Sequence, residues 1–187
     1  MPSKTPKTCS DSASSALANN VNNHTLTQQT LTKNRKKYLD KVEPNSISVL
    51  VSNDELPTNA DELLPFVQNT NLLYLTGIDQ EDTYLILAPQ FPDRRMREIL
   101  FIKETSEEIA IWEGNKLSKK EASEISGIET VLWNDQFEKI LPLILTESKN
   151  IYLDKNEHIR SSTKVETAQD RFISKIESKF PTFEIKR

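Results

Sequence analysis

Short, near-continuous apolar runs punctuate this chain, and longer stretches with a helical period lie between them. Ser46–Ser52 (SISVLVS) and Thr83–Ala88 (TYLILA) read as strands buried on both faces, because almost every position is apolar or small. Glu98–Ile102 (EILFI) and Glu108–Trp112 (EIAIW) read as a hairpin-like set of short strands, and Glu129–Trp133 and Asn150–Leu153 as two more. Leu64–Gly77 (LPFVQNTNLLYLTG) is the stretch around which we expect the others to be arranged. A Pro stops whatever precedes it, four polar residues follow, and the apolar run Leu72–Leu75 ends sharply at Thr76-Gly77. That length, with a Tyr inside and a Gly at the end, predicts a buried strand in the middle of the fold. The Gln68 and Asn69 amides both donate and accept, so they are suited to tie the entering loop to neighbouring backbone.

Four segments carry the helical period instead. Leu31–Val42 places Leu31, Tyr38, Leu39 and Val42 on one face, with the basic run Lys33–Lys37 on a solvated face and Pro44-Asn45 as the stop. In Leu117–Ser126, Ser118 and Glu121 have the spacing of a capping box, and Gly127 ends the helix. Asp135–Thr146 follows a candidate cap at Asn134 and contains Pro142, which predicts a kink or an early end. Val165–Phe180 aligns Val165, Ala168, Phe172, Ile173 and Ile176. The last residues, Phe180–Arg187, read as an extended, partly apolar linker. Strands in a meander, then strands alternating with helices, predict an α/β fold: a mixed sheet covered by helices.

Composition divides the chain and narrows its partners. Residues 1–28 are rich in Ser, Thr, Asn, Gln and Lys and read as a flexible polar tail, leaving 29–187 as one domain. The net charge of -4 makes the basic run Lys33–Lys37 a solvated helix face rather than a nucleic-acid patch. No apolar run approaches the roughly 18 residues of a membrane span. The one cysteine, Cys9, forms no internal disulfide, so a reducing, cytoplasmic location is the expectation.

Candidate chemistry is sparse. Gly77, Gly114 and Gly127 lie too far apart for a phosphate loop. His24 and His158 build no zinc site, and Cys9 lies in the tail. No Gly-x-Ser-x-Gly elbow offers a serine to His158. The acid pairs Glu107-Glu108 and Glu81-Asp82 sit at turns and read as solvated surface. The residues by themselves therefore indicate no catalytic or metal-binding set. Trp112, at a strand end before Glu113-Gly114, either caps the core or presents a flat apolar face to a ligand, and burial statistics favour the core.

An ordered set of short motifs resembles the N-terminal domain of aminopeptidase P, the Xaa-Pro aminopeptidases of the creatinase/prolidase superfamily. Pro65-Phe66, Gln68-Asn69 and Asn71 to Gly77 resemble that family's signature, and Asn34 to Leu39 its opening basic helix. Pro44-Asn45-Ser46 is similar to the entry of its first strand, and Leu85-Ile86-Leu87 to the strand after the Thr-Gly turn. Leu100-Phe101 through Ile111-Trp112-Glu113-Gly114 is similar to its Trp-x-Gly hairpin, and Ser126-Gly127 to a helix end. The resemblance runs from about residue 30 to the C-terminus.

The resemblance implies a three-layer, ribonuclease H-like α/β domain that is the non-catalytic part of a two-part enzyme. In that family a C-terminal pita-bread domain holds two manganese ions through Asp, His and Glu ligands and removes an N-terminal residue preceding proline. None of its motifs occurs in this sequence, and such a half needs about 200 further residues. The chain alone is then expected to be inactive, with its own catalytic domain, a homo-oligomer and peptides with proline second as partners. By the same resemblance Trp112 comes near the substrate-binding end of the active site, and Asp61 stands where an acid reaches a neighbouring subunit's pocket. Some superfamily members have lost catalysis and bind proteins, so a stand-alone binding module is the alternative.

Overall fold

Ser46–Val51 (β1) is buried at all six positions and forms the spine of the fold. The computed structural model describes residues 27–59, 62–106, 116–155 and 165–186. Tyr84–Leu87 (β2) pairs antiparallel with β1, and Glu98–Ile102 (β3) pairs antiparallel with β2. Thr130–Trp133 (β4) runs parallel to β3. On the other side of β1, Asn150–Leu153 (β5) runs parallel to it and Glu184–Lys186 (β6) parallel to β5, giving the order β4-β3-β2-β1-β5-β6. The segment read as a terminal linker thus adds a strand to the sheet; three residues are too few to show a period in sequence.

The pleat sends Ile47, Val49 and Val51 to one face and Ser48 and Leu50 to the other. Phe137–Leu145 (α4) and Ala168–Lys179 (α5) cover the first face, burying Phe137, Leu141, Ile144, Phe172, Ile173 and Ile176. Phe137 is the hub of that layer, with ring centroids 4.5 Å from Tyr84, 5.2 Å from Phe101 and 5.9 Å from Phe172. Gln28–Leu39 (α1), Thr70–Thr76 (α2) and Lys119–Ser126 (α3) cover the second face. The architecture is the mixed sheet between helical layers that the pattern predicts.

The Leu64–Gly77 stretch is not a central strand. Leu72–Leu75 lies inside α2, on an outer layer. The Asn69 side chain accepts from the backbone N–H groups of Asn71 and Leu72, and Gly77 closes the helix at φ 70°. Leu72, Leu75 and Thr76 point inward while Tyr74 is 47% exposed, a spacing of three and four rather than two.

Other expectations change in detail. The Ser118–Glu121 capping box and the Gly127 stop are present. The helix around Pro142 does not end early but runs on to Leu145, behind a 3₁₀ turn at Asn134–Gln136, and no side chain caps it. Val165 precedes the cap Thr167 and is 71% exposed rather than part of the buried face. The basic run of α1 is not wholly solvated either, because Arg35 is fully buried.

Arg35 explains how the second layer is held. Its Nη1 donates to Leu75 O at 2.9 Å and to Ser126 O at 2.8 Å, so one guanidinium takes carbonyls from the ends of both α2 and α3. The two ends are built alike. Thr76 Oγ1 donates to Leu72 O and accepts from Ile78 N, and Ser126 Oγ donates to Ala122 O and accepts from Ile128 N. A left-handed glycine follows each, Gly77 against Leu31 and Gly127 against Gln28 of α1.

Candidate functional site

β1 pairs antiparallel with β2 on one side and parallel with β5 on the other, so the carboxyl ends of β1 and β5 open side by side. In open α/β sheets ligands collect outside such strand ends. Two adjoining cavities lie at the carboxyl end of β1, against the start of α5. One, of about 310 Å³, is lined by polar and charged groups including Ser52, Asp54, Glu81, Asp82, Tyr84 and Arg171. The other, of about 530 Å³, has an apolar wall of Leu56, Leu64, Pro65, Val67 and Val165. Asn53 borders both: its Nδ2 donates to Val67 O at 2.9 Å and its Oδ1 accepts from Gln169 Nε2 at 3.0 Å.

The apolar wall is built on a local hairpin. Leu64 N donates to Leu56 O and Thr58 N to Glu62 O, both at 2.8 Å, around an antiparallel bridge between Pro57 and Leu63. Leu56, Leu64, Val67 and Val165 are between 48% and 71% exposed, an apolar cluster that the described residues leave open to solvent.

Beside the cavities, and joined to them through Ser52 and Glu81, lies a buried polar network. Gln68, as the amide chemistry predicts, donates from Nε2 to Ile78 O and Gln80 O and accepts from Asn69 N through Oε1. Thr83 Oγ1 donates to Gln80 O, and Thr83 N donates to Ser52 Oγ. Asp154, just past β5, accepts from Asn69 Nδ2 at 2.7 Å and Asn71 Nδ2 at 2.9 Å. One carboxylate thereby fastens the start of α2 to the end of the parallel strand pair.

Charge in the polar cavity is largely paired. Arg171 bonds Asp54, and Lys175 bonds Glu138. Glu81, read from sequence as solvated, is only 5% exposed and contacts Lys116. Burial, with the Asp82 and Glu138 carboxylates nearby, pushes the Tyr84 hydroxyl above its ordinary pKa. At the mouth, bonds from Thr167 hold Asp170 below the usual carboxylate range, with Lys155 3.8 Å away.

The site residues indicated by resemblance, Trp112 and Asp61, lie outside the described residues, as do Cys9, His24, His158 and the strand expected at Glu108–Trp112. Sequence reasoning misses Asp154 and Glu81, and neither position carries a motif; only the amides at Asn69 and Asn71 hint at a carboxylate partner. Among the described residues no group of three or more His, Cys, Asp or Glu is placed to hold a metal ion, so the donor set for a manganese pair is not found there. Among the same residues no helix is long and apolar enough to cross a membrane.

Known proteins resemble both the sequence and the fold. Xaa-Pro aminopeptidase of Escherichia coli (strain K12) is 22% identical over 146 residues, covering 78% of this chain and 33% of that protein. Xaa-Pro aminopeptidase 3 of Homo sapiens is 25% identical over 109 residues, covering 57% and 21%. The chain spans a third or less of the length of these curated relatives. A Bacillus anthracis structure assigned as an aminopeptidase P superposes with a TM-score of 0.75 at 28% identity, over 86% of this chain and 38% of that one. Proline aminopeptidase P II from Yersinia pestis superposes at 0.65 and 24% identity, over 83% and 34%. The domain model "Aminopeptidase P, N-terminal domain" matches residues 31–152, from α1 to the penultimate residue of β5, and the chain belongs to that family.

Proposed function

We propose that this chain is the non-catalytic N-terminal domain of a manganese-dependent Xaa-Pro aminopeptidase. In this reading it shapes substrate access and oligomerisation, while a C-terminal catalytic half removes an N-terminal residue that precedes proline. The observation that carries the reading is the family match over residues 31–152, shared with longer relatives named Xaa-Pro aminopeptidase. The cavities at the carboxyl end of β1 support it, since they offer an apolar wall beside a polar and charged lining. By the family resemblance, Trp112 and Asp61 are the residues of this domain that serve the substrate site. An aromatic wall excludes water from a metal-assisted hydrolysis, and an acid near the entry holds the free α-amino group of a peptide. The single Cys9 goes with a cytoplasmic location.

The test compares this chain with a form that also carries a catalytic half, both with manganese and an Xaa-Pro tripeptide, following release of the first residue. Turnover by the longer form alone supports the proposal. Turnover by this chain alone overturns it.

A second reading, a protein- or peptide-binding module without catalysis, draws on the exposed cluster of Leu56, Leu64, Val67 and Val165. Inactivity of both forms would bring that reading forward.

A further inference from the structure

Asn53 is the ridge between the two cavities, and both ends of its amide are engaged, by Val67 O and by Gln169 Nε2. The ridge is therefore built before any ligand arrives, and whatever spans it meets two different walls. On one side Leu56, Leu64 and Val67 expose their side chains around the larger cavity, where an apolar group would be shielded from water. On the other side the lining is charged. Its two cations are already bonded, Arg171 to Asp54 and Lys175 to Glu138, and Lys116 contacts Glu81. Glu55 and Asp82 on this side, and Glu166 beside the apolar wall, have no ion pair among the described residues. Burial, with Asp82 and Glu138 nearby, raises the pKa of the Tyr84 hydroxyl, so an entering charge meets a negative field.

That field discriminates between occupants. An anion is repelled by the carboxylates of Glu55, Asp82 and Glu166. A wholly apolar partner would take water from them and give no partner in exchange. A metal ion finds no group of three ligands placed to hold it among the described residues. A cationic side chain next to an aliphatic one satisfies both walls.

We propose that the paired cavities dock a peptide segment of a partner protein that carries a bulky aliphatic residue next to Lys or Arg. The aliphatic side chain lies against Leu56, Leu64 and Val67, and the cation points towards Glu55 and Asp82. The proposal rests on the binding reading and names the chemistry of its partner; the aminopeptidase reading is tested separately.

The test uses this chain with isotope-labelled Leu and Val methyl groups and three capped peptides as probes. These are Ala-Leu-Leu-Lys-Arg-Ala, an acidic control with Glu-Glu in place of Lys-Arg, and a control with Ala-Ala in place of Leu-Leu. The first peptide is expected to shift the methyl resonances of Leu56, Leu64 and Val67. It should bind about tenfold more tightly than either control, the size of a few exposed charge contacts or of one aliphatic side chain. Its advantage over the acidic control should fade between about 0.01 M and about 1 M salt as the Debye length shrinks. Glu55→Gln and Asp82→Asn together are expected to remove most of that advantage, with the methyl shifts at saturation retained. Asp82→Asn suits the left-handed backbone at that position, φ 51°. Val67→Ser is expected to weaken the first peptide about fivefold and to leave the Ala-Ala control unchanged.

Equal binding of the basic and acidic peptides overturns the proposal and leaves the binding reading standing. Shifts confined to other methyl groups overturn it as well. No binding by any of the three peptides overturns it and sets the binding reading aside. Concentration-dependent shifts of the same methyl groups without peptide, with a dimer in sedimentation, also overturn it, because a second copy then covers the face.

Discussion

Arg35 Nε donates to Glu98 Oε2 at 2.8 Å, joining a guanidinium that is 1% exposed to a carboxylate that is 33% exposed. The pair ties α1 to the start of β3, while Nη1 of the same side chain serves α2 and α3; Nη2 has no partner among the described residues. Arg35→Met keeps much of the volume but strands two helix-end carbonyls and a carboxylate. It is expected to cost about 3–5 kcal/mol, the range for breaking a buried pair. Glu98→Gln, at the wetter end, is expected to cost about 1 kcal/mol. Urea midpoints at unchanged slope measure both.

The two helix-closing glycines differ in what surrounds them. A Cβ at Gly77 meets Leu31 Cδ1 at 2.8 Å, and Leu31 is fully buried. A Cβ at Gly127 meets Gln28 Cγ at 2.7 Å, part of a flexible and exposed side chain that moves aside. Both alanine variants carry the left-handed backbone penalty of about 1 kcal/mol. Gly77→Ala is expected to lose at least that much again through overpacking. Equal thermal midpoints for the two variants would contradict this ordering.

Asn69 caps α2 and donates to Asp154, so Asn69→Ala is expected to lose about 1–2 kcal/mol. Asn69→Asp keeps the cap acceptor but sets two carboxylates against each other, which raises the pKa of the pair in the folded state. Its deficit relative to the parent sequence should therefore grow as pH rises from 4 to 7. Denaturation at those two pH values decides it.

Glu138 joins α4 to α5 through Lys175 and Lys179, and bonds from those two lysines hold its carboxyl below the ordinary value. A depressed folded pKa means that the contribution is complete above the unfolded pKa of about 4.3 and is lost as pH falls through the folded one. Because Glu138 is 47% exposed, solvent keeps that contribution small. Glu138→Gln should therefore lose slightly less stability than the parent between pH 6 and pH 3, a difference that thermal midpoints across that range will show.

Much of the fold is legible in the order of residues alone. Ser118, Glu121 and Gly127 announce α3 because capping is local chemistry with a fixed spacing. β1 and β2 are legible because strands buried on both faces are apolar or small at almost every position. α2 is not, since four apolar residues in a row show neither period; the informative signals are its flanks, Asn69 and Gly77. Arg35 and Glu81 read as surface because a charge in a polar run gives no sign of the partners that bury it. Those partners lie far off in sequence: Leu75 and Ser126 are 40 and 91 residues from Arg35. The site is legible only through family resemblance, and the carboxylates of Glu81 and Asp154 carry no motif.

The shared guanidinium bears on the order in which the molecule assembles. Helices of seven and eight residues are too short to persist alone in water, so α2 and α3 depend on what closes their ends. That closure spans long loops, whose entropy is lost before the contact forms. The two helices should therefore mature late and together, after the strands have met, and fray together when the protein opens. Amide protons at Gly77 and Gly127 should then exchange with matching protection.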